Sequence, residues 1–275
     1  MGSSRCAEAL ARFVSTQLSI GGNTMDLGLA GKNVIVTGGS KGIGKHIALG
    51  FAREGANVAI CARSEGPLRA AEADLRSNKG TVYAATCDIG HTADLEAFLE
   101  DARRQLGSVD VLVNNPSALA MTDDPAGWEA SLNIDLMASV RATWKVVPWM
   151  TAAGGGSLLF ISSGSGLEAG SPPAYAAAKA AIISYSKTLS VALAPQRIRV
   201  NTLAPGSIEF GGGFWDMVKL GNRALYDTVL GTIPWGRMGT PEEVGDVAVF
   251  LCSQRASWVT GTCLRVDGAQ VKGNL

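Results

Sequence analysis

The sequence predicts an α/β fold: a single parallel sheet with helices on both faces. Short, apolar, β-branched runs recur along the chain, and longer stretches of helical spacing separate them. No Pro/Gly/Ser linker and no internal repeat divides the 275 residues. Strands covered on both faces read as such continuous runs, and their alternation with helices implies parallel pairing.

Taken in order, the first strand spans Asn33–Thr37 and runs into a glycine-rich loop and a helix over Ile43–Glu54. Strand Asn57–Cys61, helix Pro67–Ser77, strand Thr81–Thr86, helix Ala93–Leu106 and strand Val109–Val113 follow. A long helical stretch covers Ala126–Met150, before strand Ser157–Ile161, helix Tyr175–Leu193 and strand Ile198–Leu203. Helix Pro241–Cys252 and strand Cys263–Val266 close the pattern. Residues 207–240 interrupt it with three consecutive glycines, several aromatics, and helical spacing from Trp215 to Leu230. An insertion of that length in a compact domain is usually functional, often a lid. Periodic sequence begins at Met25, so residues 25–275 read as one catalytic domain. Residues 1–24 read as a non-catalytic extension with a short amphipathic helix over Ala7–Ile20 and no secretory-type apolar run.

Composition excludes several classes. Lys+Arg and Asp+Glu both number 24, so the net charge is zero and no basic block offers a nucleic-acid footprint. No apolar run reaches the ~20 residues that span a bilayer. The five cysteines are scattered without a C-x-x-C pair, which fits a reducing compartment, the cytoplasm, better than a disulfide framework or a zinc site. His46 and His91 are the only histidines, too few and too distant for a metal site or a Ser-His-Asp triad. Only 17% of residues are charged, which is compatible with surface buried between subunits.

The loop Thr37-Gly38-Gly39-Ser40-Lys41-Gly42-Ile43-Gly44 sits between a strand and a helix, the setting in which glycines let backbone N–H groups approach a dinucleotide diphosphate. Further along come Cys87-Asp88-Ile89, Asn114-Asn115, Ser162-Ser163, Tyr175-x-x-x-Lys179, Pro205-Gly206 and Val266-Asp267-Gly268. Through this ordered set the chain resembles the short-chain dehydrogenase/reductase family from Leu27 to Gly268. The resemblance implies a Rossmann-type, doubly wound sheet. It also implies that Gly38, Gly39, Ser40, Lys41 and Ile43 hold the cofactor diphosphate, that Asp88 and Ile89 flank the adenine, that Asn115 belongs to the cofactor site, and that Ile208 meets the carboxamide.

The second strand ends Ala62-Arg63, with Ala62 where the family's NAD enzymes place an acid for the ribose hydroxyls. A carboxylate would repel a 2′-phosphate, whereas the Arg63 fork and the Lys41 charge suit one. The expected cofactor is NADP(H).

Tyr175 and Lys179, four apart on a helix, share one face. A free tyrosine, with a pKa near 10, is a poor base at neutral pH, but a neighbouring ammonium and a positive nicotinamide ring favour its phenolate. Such a group can give or take the proton of a carbonyl/alcohol pair, and both side chains belong to the implied cofactor site. A serine should hold the substrate oxygen. Counting back by the family's usual spacing selects Ser162, whereas the pattern Ser-x-x-Gly selects Ser163; strand alternation lets only one face the cleft, and Ser163 is the preferred reading.

Three positions depart from the family pattern. Asn-Asn-Ala-Gly reads Asn114-Asn115-Pro116-Ser117, and Phe210 stands where a threonine is often found. The helix asparagine that relays protons to the lysine falls on Asp135; Asn133, about 200° around the helix, cannot replace it. The expected activity is NADPH-dependent reduction of a small carbonyl compound, reversible as secondary-alcohol oxidation, with an apolar substrate if the lid closes. A 3-oxoacyl-acyl-carrier-protein reductase is the alternative, with Arg141, Lys145, Lys187, Arg197 and Arg199 as candidates for carrier docking; a non-catalytic dinucleotide sensor is the other. The apolar end of the chain, Arg265-Val266-Asp267-Gly268-Ala269, resembles the segment that packs across a twofold axis in tetrameric members, so a homotetramer or homodimer is expected.

Overall fold

The computed structural model describes residues 25–273; the Ala7–Ile20 helix expected from the sequence lies outside them. Seven parallel strands form one sheet in the order β3-β2-β1-β4-β5-β6-β7. They are β1 Asn33–Thr37, β2 Asn57–Ala62, β3 Val82–Thr86, β4 Val111–Asn114, β5 Gly156–Ile161, β6 Ile198–Pro205 and β7 Cys263–Val266. The helices between them are α1 Gly42–Arg53, α2 Glu65–Arg76, α3 Thr92–Leu106, α4 Pro125–Ala130, α5 Ala138–Ala152, α6 Pro173–Leu193, α7 Phe214–Gly221, α8 Arg223–Leu230 and α9 Pro241–Cys252.

Alternation along each strand fills two cores. Val34 and Val36 of β1 pack with Ile47 and Phe51 of α1 and with Val244 and Ala248 of α9. Ile35, between them, faces the other side with Leu95 and Phe98 of α3, Ala142 and Val146 of α5, and Ile182 of α6. With both faces covered, every residue of β1 is buried, which is why its sequence carries no polar alternation. Pairing runs in register, Val34 against Val58 on one side and Val111 on the other. The strand order reverses between β1 and β4, and ligands of such sheets bind at the carboxyl ends of the strands there.

Two helical expectations are corrected. Ala126–Met150 is not one helix: α4 and α5 flank a π-helical segment, Ser131–Met137. The wider turn carries Asp135 into the interior, where its exposure is 1%, in keeping with the concentration of π segments at functional sites. Trp215–Leu230 is likewise two helices, broken at Asn222, whose side chain accepts from the Leu225 N–H and caps α8. Pro148 lies inside α5. The start of α9 is secured by a capping box between Thr240 and Glu243, with Pro241 in its first turn. Arg237 and the Thr240 N–H both donate to Glu243 and hold its carboxyl at about 2. Among the described residues, no helix is long and apolar enough to cross a membrane, and no group of three His, Cys, Asp or Glu is placed to hold a metal.

Candidate active site

A cleft of about 560 Å³ opens at the carboxyl ends of β1, β4, β5 and β6. Lys41, Ile43 and Gly44, at the end of the glycine loop, form one wall. Gly42 has φ +50°, and a Cβ on Gly44 would stand 2.2 Å from the Gly38 carbonyl oxygen, so neither position accepts a side chain without strain. No side chain caps α1 at Lys41, which leaves the first-turn N–H groups and the positive end of the helix available to an anion. Asn115 braces the loop: its Nδ2 donates to the Thr37 and Gly38 carbonyls, and its N–H donates to Thr37 Oγ1 at 3.1 Å. Phe210 lies against the same loop, its ring filling the space a Cβ on Gly42 would need.

Lys41, Ile43, Asn115, Tyr175, Lys179 and Ile208 all line the cleft. Gly38, Gly39, Ser40, Arg63, Asp88 and Ile89 lie outside its lining, the last three beyond the ends of β2 and β3. Arg63 and Lys41 are exposed and form no ion pair among the described residues. Asp88 accepts from the Gly90 N–H at 2.9 Å. A glycine loop and an uncapped helix start suit the diphosphate of a dinucleotide.

Helix α6 begins at Pro173, which places Tyr175 in its first turn and Lys179 one turn deeper. The Lys179 ammonium stands 5.6 Å from the centre of the Tyr175 ring. It is 2% exposed and donates to the Pro116 carbonyl at 3.0 Å and the Ile161 carbonyl at 3.1 Å, with Asp135 Oδ1 at 3.2 Å as its counter-charge. Asp135 Oδ2 accepts from the Ala118 N–H at 3.2 Å. The contact between Asp135 Oδ1 and Lys179 is an ion pair without the alignment of a hydrogen bond. Asn133 points elsewhere, donating to the Gly90 carbonyl and accepting from Arg141.

Both serines at the end of β5 line the cleft, contrary to the expectation that only one would face it, but their bonding differs sharply. Ser162 is buried and donates to the Lys179 carbonyl at 2.8 Å. Ser163 is partly exposed, accepts from the Ser165 N–H at 3.1 Å and caps a 3₁₀ turn over Gly164–Gly166. Its own O–H remains for a group in the cleft.

Several wall residues carry no motif that the sequence could reveal. Ser165 and Ser171, hydrogen-bonded at 2.8 Å, line the cleft, as does Gln270, which arrives from beyond β7. Gln270 accepts from the Ser207 N–H and donates to Ser207 Oγ. His46 also has a structural role. Its Nδ1 meets the Gly42 carbonyl at 2.8 Å and its Nε2 meets Glu242 at 2.9 Å, tying the glycine loop to α9. Four of the five basic side chains considered for carrier docking are engaged within the chain. Arg199 is spent on the carbonyls of Leu251, Ser253 and Val259, and burial pushes its pKa down. Lys145 pairs with Glu100, Arg141 with Asn133, and Lys187 with the Gly261 carbonyl.

Fold and site together define a Rossmann-type oxidoreductase that binds a nicotinamide dinucleotide and acts on CH–OH or C=O groups. Residues 38–269 match the family described as Enoyl-(Acyl carrier protein) reductase. A 3-oxoacyl-acyl-carrier-protein reductase of Chlamydia muridarum is 38% identical over 247 residues, covering 87% of this chain and 97% of the relative. Among solved structures, L-sorbose reductase from Gluconobacter frateurii, complexed with NADPH and L-sorbose, superposes with a TM-score of 0.82 at 32% identity, covering 90% of this chain and all of the other. A 7α-hydroxysteroid dehydrogenase complexed with NADH gives 0.84 at 32% identity, covering 91% and 98%. The chain belongs to the short-chain dehydrogenase/reductase family.

Proposed function

We propose that the chain is an NADPH-dependent carbonyl reductase, reversible as a secondary-alcohol dehydrogenase, in which Tyr175 exchanges the proton, Ser163 holds the substrate oxygen and Lys179 holds the tyrosine environment positive. The observation that carries this reading is the convergence of Ser163, Tyr175 and Lys179 on one cleft with the glycine loop. When bound there, the cofactor supplies hydride. The Gly38–Ile43 backbone and the start of α1 would hold its diphosphate, with Arg63 and Lys41 on the 2′-phosphate. The segment 207–240 acts as a lid: Phe214, Trp215, Leu225 and Val229 line the outer cleft together with Leu119 and Met121. Walls of that kind suit a hydrophobic or cyclic ketone better than a sugar. A ketone panel assayed with NADPH and NADH tests the activity, and sugars outperforming every apolar ketone would overturn the substrate class.

Cofactor preference has its own test. NADPH is expected to give a higher kcat/KM than NADH, and Arg63→Ala to cost the NADPH reaction roughly 1.5–3 kcal/mol, the worth of a hydrogen bond to a charged group. Equal kcat/KM for both cofactors in the unsubstituted chain would sink the assignment.

A second reading, reduction of a 3-oxoacyl group on acyl carrier protein, is favoured by the 38% identical relative. The internal use of Arg141, Lys145, Lys187 and Arg199 weighs against carrier docking at those residues. Turnover of a carrier-bound thioester far above that of free ketones would select this alternative.

Exposed apolar side chains support a homotetramer or homodimer. Trp144 (63% exposed) on α5 and Val191 (70%) on α6 mark one face; Phe250, Leu264 and Trp258 (97%) mark another near β7. Light scattering at micromolar concentration should therefore give more than one chain mass, and a monomer would contradict the interfaces. Free thiols at Cys61, Cys87 and Cys252, all buried, fit a reducing compartment, the cytoplasm.

A further inference from the structure

We infer that Glu209 is a positioning residue whose carboxylate latches α7 and α8 over the outer cleft. The effect on turnover rests on the reductase reading above; the latch itself does not.

Glu209 lies on the segment that enters the insertion, and its backbone is fixed. Ile208 bridges to Gly239, the Glu209 N–H donates to the Gly239 carbonyl at 2.9 Å, and the Gly239 N–H donates to the Ser207 carbonyl at 2.9 Å. From this anchored point the two carboxylate oxygens reach different helices. Oε1 accepts from Lys219 of α7 at 2.6 Å, and Oε2 accepts from the Tyr226 hydroxyl of α8. Lys219 also stands 5.2 Å over the Tyr226 ring, and Arg223 stands 5.5 Å from it.

The helices have little else to hold them. Each is eight residues long, too short to be stable alone. No residue of α7 is fully buried. The apolar anchor is a small cluster of Tyr226, Ile233 and Met238, separate from the two main cores, with Trp215, Val218, Val229 and Leu230 packed against it only partly buried. The other side-chain hydrogen bonds between these helices and the described residues around them are local, within four residues (Gly212 to Asp216, Leu225 to Asn222, Thr232 to Val229). The bonds to Glu209 are the ones that reach a distant residue. Lys219 and Tyr226 hold the Glu209 carboxyl below the usual carboxylate range, while the carboxylate pushes the Tyr226 phenol up, so each keeps the protonation state the bonds need. Trp215 and Leu225, carried by these helices, form the cleft's apolar wall. Releasing the carboxylate should loosen that wall while the glycine loop stays in place.

Hydrogen exchange on the full chain, without ligand, reads the latch directly. In Glu209→Ala, amides of residues 214–230 should exchange about tenfold faster or more, with β1 and α1 unchanged. Glu209→Gln keeps an acceptor for Tyr226 but not the charge facing Lys219, and should fall between. Tyr226→Phe keeps the packed ring, removes one bond, and carries the test alone if Glu209→Ala does not fold. With a cyclic ketone, Glu209→Ala should raise the ketone KM about tenfold and leave the NADPH KM within about twofold. Unchanged exchange in both Glu209→Ala and Tyr226→Phe overturns the latch, and equal rises in both KM values overturn its role in positioning the substrate wall. If the unsubstituted chain reduces no ketone, the reductase reading fails, while faster exchange still supports the latch.

Discussion

Tyr175→Phe is expected to bind NADPH as the unsubstituted chain does and to lose about 10²–10⁴ in turnover, the usual contribution of a positioned acid/base. The substitution is clean because of where the ring sits. Tyr175 lies in the first turn of α6, lines the cleft, and packs its ring 5.6 Å from the Lys179 ammonium. Phenylalanine keeps the ring and that cation contact, so stability should hardly change. Only the hydroxyl, the group that exchanges the substrate proton, is removed. The serines sharpen the test. Ser163→Ala should lower turnover more than Ser162→Ala, because the Ser162 hydroxyl is spent on the Lys179 carbonyl; its loss should appear mainly as about 1 kcal/mol of stability. Fluorescence titration with NADPH separates binding from turnover. Full activity in Tyr175→Phe would overturn the catalytic assignment, and the reverse order of the serines would move the oxygen-holding role to Ser162.

The strands were legible almost to the residue because each is a short apolar run bounded by turn or helix signals, and the central ones are buried along nearly their whole length. Asn33–Thr37 and Cys263–Val266 match the bounds read from sequence, and the others shift at their ends, as β6 does by continuing to Pro205. The glycine loop and the Tyr175–Lys179 pair were legible because their chemistry is local: a turn, and one helical face. What could not be read depends on partners far along the chain. The π segment at Ser131–Met137 sits in a helical pattern that gives no sign of a break, and Asp135 turns inward to meet Lys179, which another helix supplies. Gln270 enters the cleft only after the chain has passed through β7, the last strand. His46 carries no sequence signal beyond that of a solvated or helix-packed histidine, and its bond to Glu242 joins helices at opposite ends of the sequence.

Asp135→Ala is expected to destabilise the fold by about 3–5 kcal/mol, because it leaves a buried ammonium without its counter-charge. Asp135 and Lys179 are 1% and 2% exposed, and a water entering the space left by the carboxylate would carry no counter-charge. The carbonyls of Pro116 and Ile161 would still accept two of the lysine's protons, but they carry no net charge. Asp135→Asn should be milder. Its single amide oxygen can face Lys179 or the Ala118 N–H, but not both, whereas the carboxylate serves both. Turnover should fall with stability in the alanine variant, because Lys179 keeps its place beneath Tyr175 partly through this pair. A double substitution separates the two effects. Lys179→Met in the Asp135→Ala background removes both charges, and replacing a buried pair with apolar groups is often close to neutral. The double variant should therefore recover most of the lost stability and remain inactive. Chemical denaturation of the four proteins measures the coupling. If Asp135→Ala costs less than about 1 kcal/mol, or the double variant is no more stable than the single one, the pair does not carry the charge balance of this site.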